Sequence, residues 1–154
     1  MSKIILGISP GSRSMGLAVL KDNELIEWKT RTFKGSWSAM KLKDILYALK
    51  CYIEDNGITV VAIKKPDELR SSSALDRLVS EITILAKGLK VKVYSYSLSQ
   101  LKKSYSTEKI CSKEALIKLV VKKNPNIIPE FNKELRNKNS YYYRMFEAIA
   151  VAQI

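Results

Sequence analysis

The amino-acid sequence predicts an α/β fold, a mixed five-stranded sheet with helices on both faces. Three observations lead there. The chain opens on two apolar stretches, Ile4 to Ile8 and Met15 to Leu20, joined by a Pro-Gly turn. A third stretch with period-two alternation follows after a short polar turn, which makes an antiparallel meander. Beyond Gly57, short apolar runs alternate with segments of helical periodicity, the pattern of βα units whose strands pair in parallel.

The elements follow in order. In the opening hairpin Pro10 presets φ and Gly11 tolerates positive φ, so the turn is expected to rest on those two preferences. Lys21-Asp22-Asn23-Glu24 is a polar turn, and Leu25 to Phe33 reads as the third strand. Its alternation puts Ile26, Trp28, Thr30 and Thr32 on one face and Glu27, Lys29 and Arg31 on the other. Gly35-Ser36-Trp37-Ser38 breaks the pattern and offers a helix cap. Leu42, Ile45, Leu46, Leu49 and Ile53 then recur at helical spacing as far as the stop at Asn56-Gly57.

Ile58 to Ile63 is a continuous apolar run, as in a buried central strand. Ser71-Ser72-Ser73 opens a helix with Leu75, Leu78, Val79, Ile82 and Leu85 on one face, stopping at Gly88. Val91 to Tyr96 is the fifth strand, and Ser99 to Ser104 forms one or two helical turns. Tyr105 to Ile110 is polar and irregular. Ser112 caps a helix with Leu116, Leu119 and Val120 inside and Lys118, Lys122 and Lys123 outside, ended by Asn124-Pro125-Asn126. Residues 126–139 are expected to form a loop with a short helix, and Tyr142 to Ile154 an apolar, alanine-rich closing helix. With no repeats and no Gly/Ser linker, 154 residues suit one domain, 1–154, around a single core.

Composition narrows the class of protein. A hydrophobic fraction of 46% argues for a globular chain over a disordered one. No apolar run approaches the ~20 residues that cross a bilayer, and Met1-Ser2-Lys3 leads straight into a strand, so no membrane span or signal peptide is expected. Cys51 and Cys111 occur without any His, which argues against zinc and for reduced thiols in a cytoplasm. The net charge of +12 is unevenly placed. Residues 1–86 hold 13 basic and 10 acidic side chains, a balance of +3, whereas residues 87–154 hold 14 and 5, a balance of +9. A basic half favours a polyanionic partner, above all nucleic acid. The plainer account is a lysine-rich solvated surface.

The opening run Leu6-Gly7-Ile8-Ser9-Pro10-Gly11-Ser12-Arg13 resembles the motif I-x-G-I-D-P-G-S-R of the RuvC-type Holliday-junction resolvases, whose fold is RNase H-like. The β-β-β-α-β-α-β-α-α order agrees with that fold. Val61-Ala62-Ile63-Lys64 is similar to the family's A-I-E at the end of the fourth strand. Ser71-Ser72-Ser73-Ala74-Leu75 resembles the small-residue start of the next helix. Tyr96-Ser97-Leu98-Ser99-Gln100-Leu101-Lys102-Lys103 resembles Y-x-P-x-Q-V-K-K without its proline. Ser112-Lys113-Glu114-Ala115-Leu116 resembles S-K-E-Q-V, and Phe146-Glu147-Ala148-Ile149-Ala150-Val151-Ala152 resembles the terminal D-A-L-A-I-A helix.

The resemblance implies a nuclease with two divalent ions ~4 Å apart, held by carboxylates of the first strand, the fourth strand and the last helix. In this chain those four positions read Ser9, Lys64, Arg144 and Glu147. Hard Mg²⁺ requires oxygen ligands, and two of the four side chains are cations. The expectation is a pseudonuclease without a metal or other cofactor, in which Lys64, aided by Arg144, pairs with Glu147. Mg²⁺ enters only if the site is remodelled, and Asp67 and Glu68 in the loop after Pro66 are the carboxylates such a site would draw on.

The same resemblance assigns DNA contacts to Lys102, Lys103 and Lys113, and the basic half adds Lys109, Lys118 and Lys122. Its implied partners are DNA, branched or duplex, and a second copy of the chain. Trp37 beside Lys41 and Lys43 has two readings, a nucleic-acid contact or a staple for the following helix, the staple being the commoner. Tyr141, Tyr142 and Tyr143 likewise suit either base stacking or a place in the core. Three function classes stand: a DNA-binding pseudonuclease, an active endonuclease with a remodelled site, and an interaction module that keeps only the fold. Actin-like phosphotransferases share the glycine hairpin but need two such domains, and this chain has room for one.

Overall fold

The structure, a computed structural model, describes residues 3–11, 13–66, 72–105, 113–136 and 143–154. Asp67, Glu68, Ser71, Lys109, Cys111, Ser112, Tyr141 and Tyr142 therefore lie outside the described residues. The strands are β1 (Ile4–Ser9), β2 (Ser14–Lys21), β3 (Glu24–Thr32), β4 (Val60–Lys64) and β5 (Lys92–Tyr96). The helices are α1 (Ala39–Asp55), α2 (Ser73–Gly88), α3 (Leu98–Tyr105), α4 (Lys113–Lys123), α5 (Ile128–Arg136) and α6 (Tyr143–Ala152). The sheet runs β3-β2-β1-β4-β5, with β1–β2 and β2–β3 antiparallel and β1–β4 and β4–β5 parallel. This is the mixed five-stranded α/β architecture expected from the sequence, with β1 at its centre.

Local chemistry explains the joints. Asp22 and Asn23 both take positive φ (49° and 71°), the two-residue type I′ geometry whose twist suits a hairpin. The Ser38 side chain accepts a hydrogen bond from the Lys41 N–H to start α1, and Ser72 accepts one from the Leu75 N–H to start α2. Gly57, at φ 61°, turns the chain out of α1. After α2 that left-handed place belongs to Lys90 (φ 62°) rather than Gly88, which is still helical.

Strand parity divides the core into two. Leu6 and Ile8 of β1, Met15, Leu17 and Val19 of β2, and Val61 and Ile63 of β4 pack against α1 and α2. The alternate positions, including Ala18 and Ala62, face α6 and the packed helices α3 and α4. No helix among the described residues is long and apolar enough to cross a membrane.

Three expectations need correction. The β2–β3 register shifts between Val19 and Leu20, so that Val19 opposes Glu27 and Leu20 opposes Leu25. The extra residue is Ile26, which is 49% exposed, while Leu25 and Trp28 both pack on the α6 side. The bulge takes Ile26 off the face of Trp28, Thr30 and Thr32 and leaves the alternation beyond it as read from the sequence. Residues 126–136 are regular where a loop with a short helix was expected: a 3₁₀ turn (Pro125–Ile127) runs into α5, where Phe131 meets Phe146 of α6 edge-on at 6.3 Å. Gly11, finally, lies outside the left-handed region; its role in the turn is steric.

Candidate functional site

The parallel register Ile8↔Ile63 places Ser9 and Lys64 at neighbouring strand ends, both on the α6 face. Helix α6 crosses this face closely because the residues beneath it are small. A Cβ on Gly7 would collide with the Ala148 carbonyl oxygen, and one on Gly16 with the backbone of Arg144 and Met145. These glycines permit a helix-to-sheet approach that any side chain would block. The approach delivers Glu147 to the strand ends.

Three of the four positions come together there. The Ser9 hydroxyl donates to Glu147 Oε1 at 3.1 Å, and Lys64 Nζ lies 2.6 Å from Glu147 Oε2. The second contact is an ion pair whose angles fall short of an aligned hydrogen bond. All three residues are sealed from solvent, with Lys64 5% and Glu147 4% exposed. Two charges so deeply buried persist only as a pair, since each alone would carry an uncompensated desolvation penalty.

Arg144 departs from expectation. Though it shares a helical face with Glu147, its Nη1 donates to the Pro10 carbonyl at 2.6 Å, so it braces the β1–β2 turn and not the carboxylate. Its guanidinium occupies the space a Gly11 Cβ would need, with Nε and Cζ 2.6 Å from that point. Gly11 is thus the seat for Arg144.

The donors present do not fit a Mg²⁺ ion. Glu147 is the only carboxylate of the four positions, one of its oxygens accepts from a hydroxyl, and the other faces an ammonium. Among the described residues no group of three or more His, Cys, Asp or Glu side chains is gathered to hold a metal. What the arrangement does chemically is fix a positive charge beside a buried carboxylate.

The basic residues lie on the helices that flank α6. Lys103 on α3 and Lys118 and Lys122 on α4 are exposed, and Lys102 is half-buried. Lys113 opens α4, but its side chain, like the whole of Lys109, lies outside the described residues. Helices α3 and α4 are tied to the end of α6 through polar side chains. Tyr105 donates to Gln153 Oε1 at 2.7 Å, and Gln153 exchanges amide hydrogen bonds with Asn124 at 2.8 and 3.0 Å. Burial pushes the Tyr105 phenol well up, so it remains a donor at neutral pH.

No protein-family model and no curated protein matches the sequence. Solved structures do match the fold. Thermus thermophilus RuvC in complex with a Holliday-junction substrate aligns over 98% of this chain and 90% of its own, at 18% identity and a TM-score of 0.70. The same protein in a second structure gives 0.70 at 17% identity over 97% and 91%. This chain has the RuvC fold. The Fowlpox virus resolvase in complex with Holliday-junction DNA aligns over 97% and 93% at 15% identity, with a TM-score of 0.54. At these identities the likeness to RuvC speaks for architecture, and the site residues must be argued from their own chemistry.

The sequence located Ser9, Lys64 and Glu147 through motifs, but it missed the residues that bring them together. Gly7, Gly16, Ala18 and Ala62 are small residues on one face of three strands, opposite an alanine-rich helix. That period-two run of small residues was the available signal for close helix approach. Lys41 was named beside Trp37, but nothing in the sequence marked it as buried.

Proposed function

We propose that this protein is a RuvC-like DNA-binding pseudonuclease: it engages DNA, branched DNA in particular, through its basic helices and has exchanged the metal site for an internal ion pair. The observation that carries this reading is the 2.6 Å contact of Lys64 Nζ with Glu147 Oε2, closed by the Ser9 hydroxyl. A resident ammonium takes the electrostatic place that the resemblance assigns to a divalent cation. Lys102, Lys103, Lys109, Lys113, Lys118 and Lys122 supply phosphate contacts, which give affinity without sequence preference and a steep dependence on salt. The junction-bound RuvC and Fowlpox resolvase structures support a branched substrate, and the resemblance supports a cytoplasmic homodimer as the working form.

The test is a pair of measurements on the full chain. Mg²⁺ at millimolar concentration should leave the melting temperature unchanged, and a labelled four-way junction should be bound but not cut. Binding should be micromolar or tighter at about 50 mM salt. Lys102→Glu with Lys103→Glu and Lys113→Glu should weaken it and flatten the salt slope, by about 0.9 for each phosphate that is no longer neutralised. Ser9→Asp, Lys64→Glu and Arg144→Asp in combination should restore stabilisation by Mg²⁺. Nicking of the junction by the unmodified protein would replace this reading with a remodelled nuclease site.

A further inference from the structure

A second feature lies at the same end of the sheet, on the side of α1. A cleft of about 610 Å³ is lined by Arg13, Thr32, Phe33, Trp37 and Lys41 together with Gly35 and Ser36. Among the described residues two cations and two aromatic rings line it, and no carboxylate does. Arg13 is exposed on the β1–β2 turn that Arg144 braces, and its carbonyl accepts from the Phe33 N–H at 2.8 Å, which fixes the turn against the end of β3. Phe33 and Trp37 are half-buried, packing on the core while they line the cleft.

Lys41 is the informative residue. It stands in the first turn of α1 and is 7% exposed, with its Nζ donating to the Gly35 carbonyl at 2.7 Å. Among the described residues no carboxylate pairs with it. A buried ammonium held by a carbonyl, with no carboxylate beside it among the described residues, attracts an anion strongly in low-dielectric surroundings. Trp37 precedes the Ser38 cap and Leu42 lies in the helix just beyond its first turn, the placement of a hydrophobic staple. The staple explains an apolar residue at Trp37. It does not explain a buried lysine in a cleft that no acid among the described residues lines.

We propose that this cleft takes one unpaired nucleotide of a DNA strand, its phosphate held by Arg13 and Lys41 and its base laid against Trp37 and Phe33. The proposal rests on the nucleic-acid reading above. Aromatic rings beside cations are how strands are held without sequence readout, the ring supplying a stacking platform and the cations a backbone track. Bases within a duplex are already stacked and cannot enter, so the site selects unpaired positions, such as those exposed where a duplex branches or ends.

The full chain carries two tryptophans, so Trp28→Phe leaves Trp37 as the sole reporter. This variant is titrated at about 50 mM salt with oligothymidylate, with a blunt duplex and with thymidine monophosphate, while binding is scored separately by anisotropy of labelled DNA. Oligothymidylate should quench Trp37 saturably, whereas the blunt duplex should bind without quenching it. Trp37→Leu should weaken oligothymidylate binding by about 5- to 150-fold, the range of one base stack. Because Trp37 also supports α1, Arg13→Ala on the exposed turn decides the matter: it should weaken the single strand several-fold more than the duplex. Single-strand binding with Trp37 unquenched and Arg13→Ala acting equally on both DNAs overturns the cleft and leaves DNA binding intact. Failure of both DNAs to bind overturns DNA binding and the cleft with it. Quenching by the monophosphate as strong as by the oligomer overturns the strand assignment in favour of a free-nucleotide pocket.

Discussion

Two lysines are buried at one end of the sheet, one on each face, and they are held differently. Lys64 meets the Glu147 carboxylate at 2.6 Å beneath α6; Lys41 meets only the Gly35 carbonyl, at 2.7 Å, at the start of α1. The first charge is neutralised inside the protein, and so belongs to the fold. The second has no internal counter-charge among the described residues, and so is available to a ligand. The same side chain at similar burial thus serves structure on one face and recognition on the other, and the difference lies in the partner rather than in the lysine.

The largest expected effect comes from breaking the Lys64–Glu147 contact. Glu147→Ala removes the carboxylate that Lys64 Nζ meets at 2.6 Å and should destabilise the fold by about 3–5 kcal/mol, measured by urea unfolding. Lys64→Ala should act similarly, through the orphaned carboxylate. Lys64→Met combined with Glu147→Leu should recover most of the loss, because an apolar pair of similar volume avoids desolvating either charge. The cycle built on the alanine variants should give a coupling energy of roughly 0.5–3 kcal/mol. Additive losses would mean that the two charges do not depend on one another, and the contrast with Lys41 would vanish.

A smaller effect is expected at Gly16. An alanine there meets the carbonyl of Arg144, so α6 must lift away from β2. Overpacking of this kind costs about 1–3 kcal/mol. Lifting the helix also separates Glu147 from Ser9 and Lys64, so Gly16→Ala should reduce the coupling between Lys64 and Glu147 when the cycle is repeated in that background. An unchanged coupling would show that the pair follows the helix and not the sheet.

Much of this was legible in the amino-acid sequence. The order of elements and the mixed five-stranded sheet followed from turns and periodicity, Ser38 and Ser72 were readable as caps, and Ser9, Lys64 and Glu147 were located by motif. The exceptions share a cause: each depends on a contact between residues far apart in sequence. Nothing local marks Ile26 as a bulge, since its neighbours alternate well; only the pairing of Leu20 with Leu25 reveals it. Arg144 lies one turn from Glu147, so helical spacing suggested a shared site, yet its length lets it reach Pro10 instead, over a glycine whose turn role had hidden its steric one. Lys41 was read only as a neighbour of Trp37, because burial of a long side chain is set by the loop that folds over it.

The smallest expected effect is the one that tests the other half of the comparison. Lys41→Met keeps the aliphatic stem and removes the ammonium. The substitution loses one hydrogen bond to a carbonyl, worth about 1.5–3 kcal/mol when the donor is charged. It also relieves the desolvation of a charge that nothing among the described residues balances, a term of opposite sign and several kcal/mol in size for a fully isolated ion. Gly35 is exposed, so water can take over its carbonyl. These terms should nearly offset, leaving stability within about 1 kcal/mol of the parent by urea unfolding, while affinity for unpaired DNA falls. A loss above about 3 kcal/mol would place Lys41 beside Lys64 as a structural charge, and of the cations that line the cleft among the described residues Arg13 alone would remain for a phosphate.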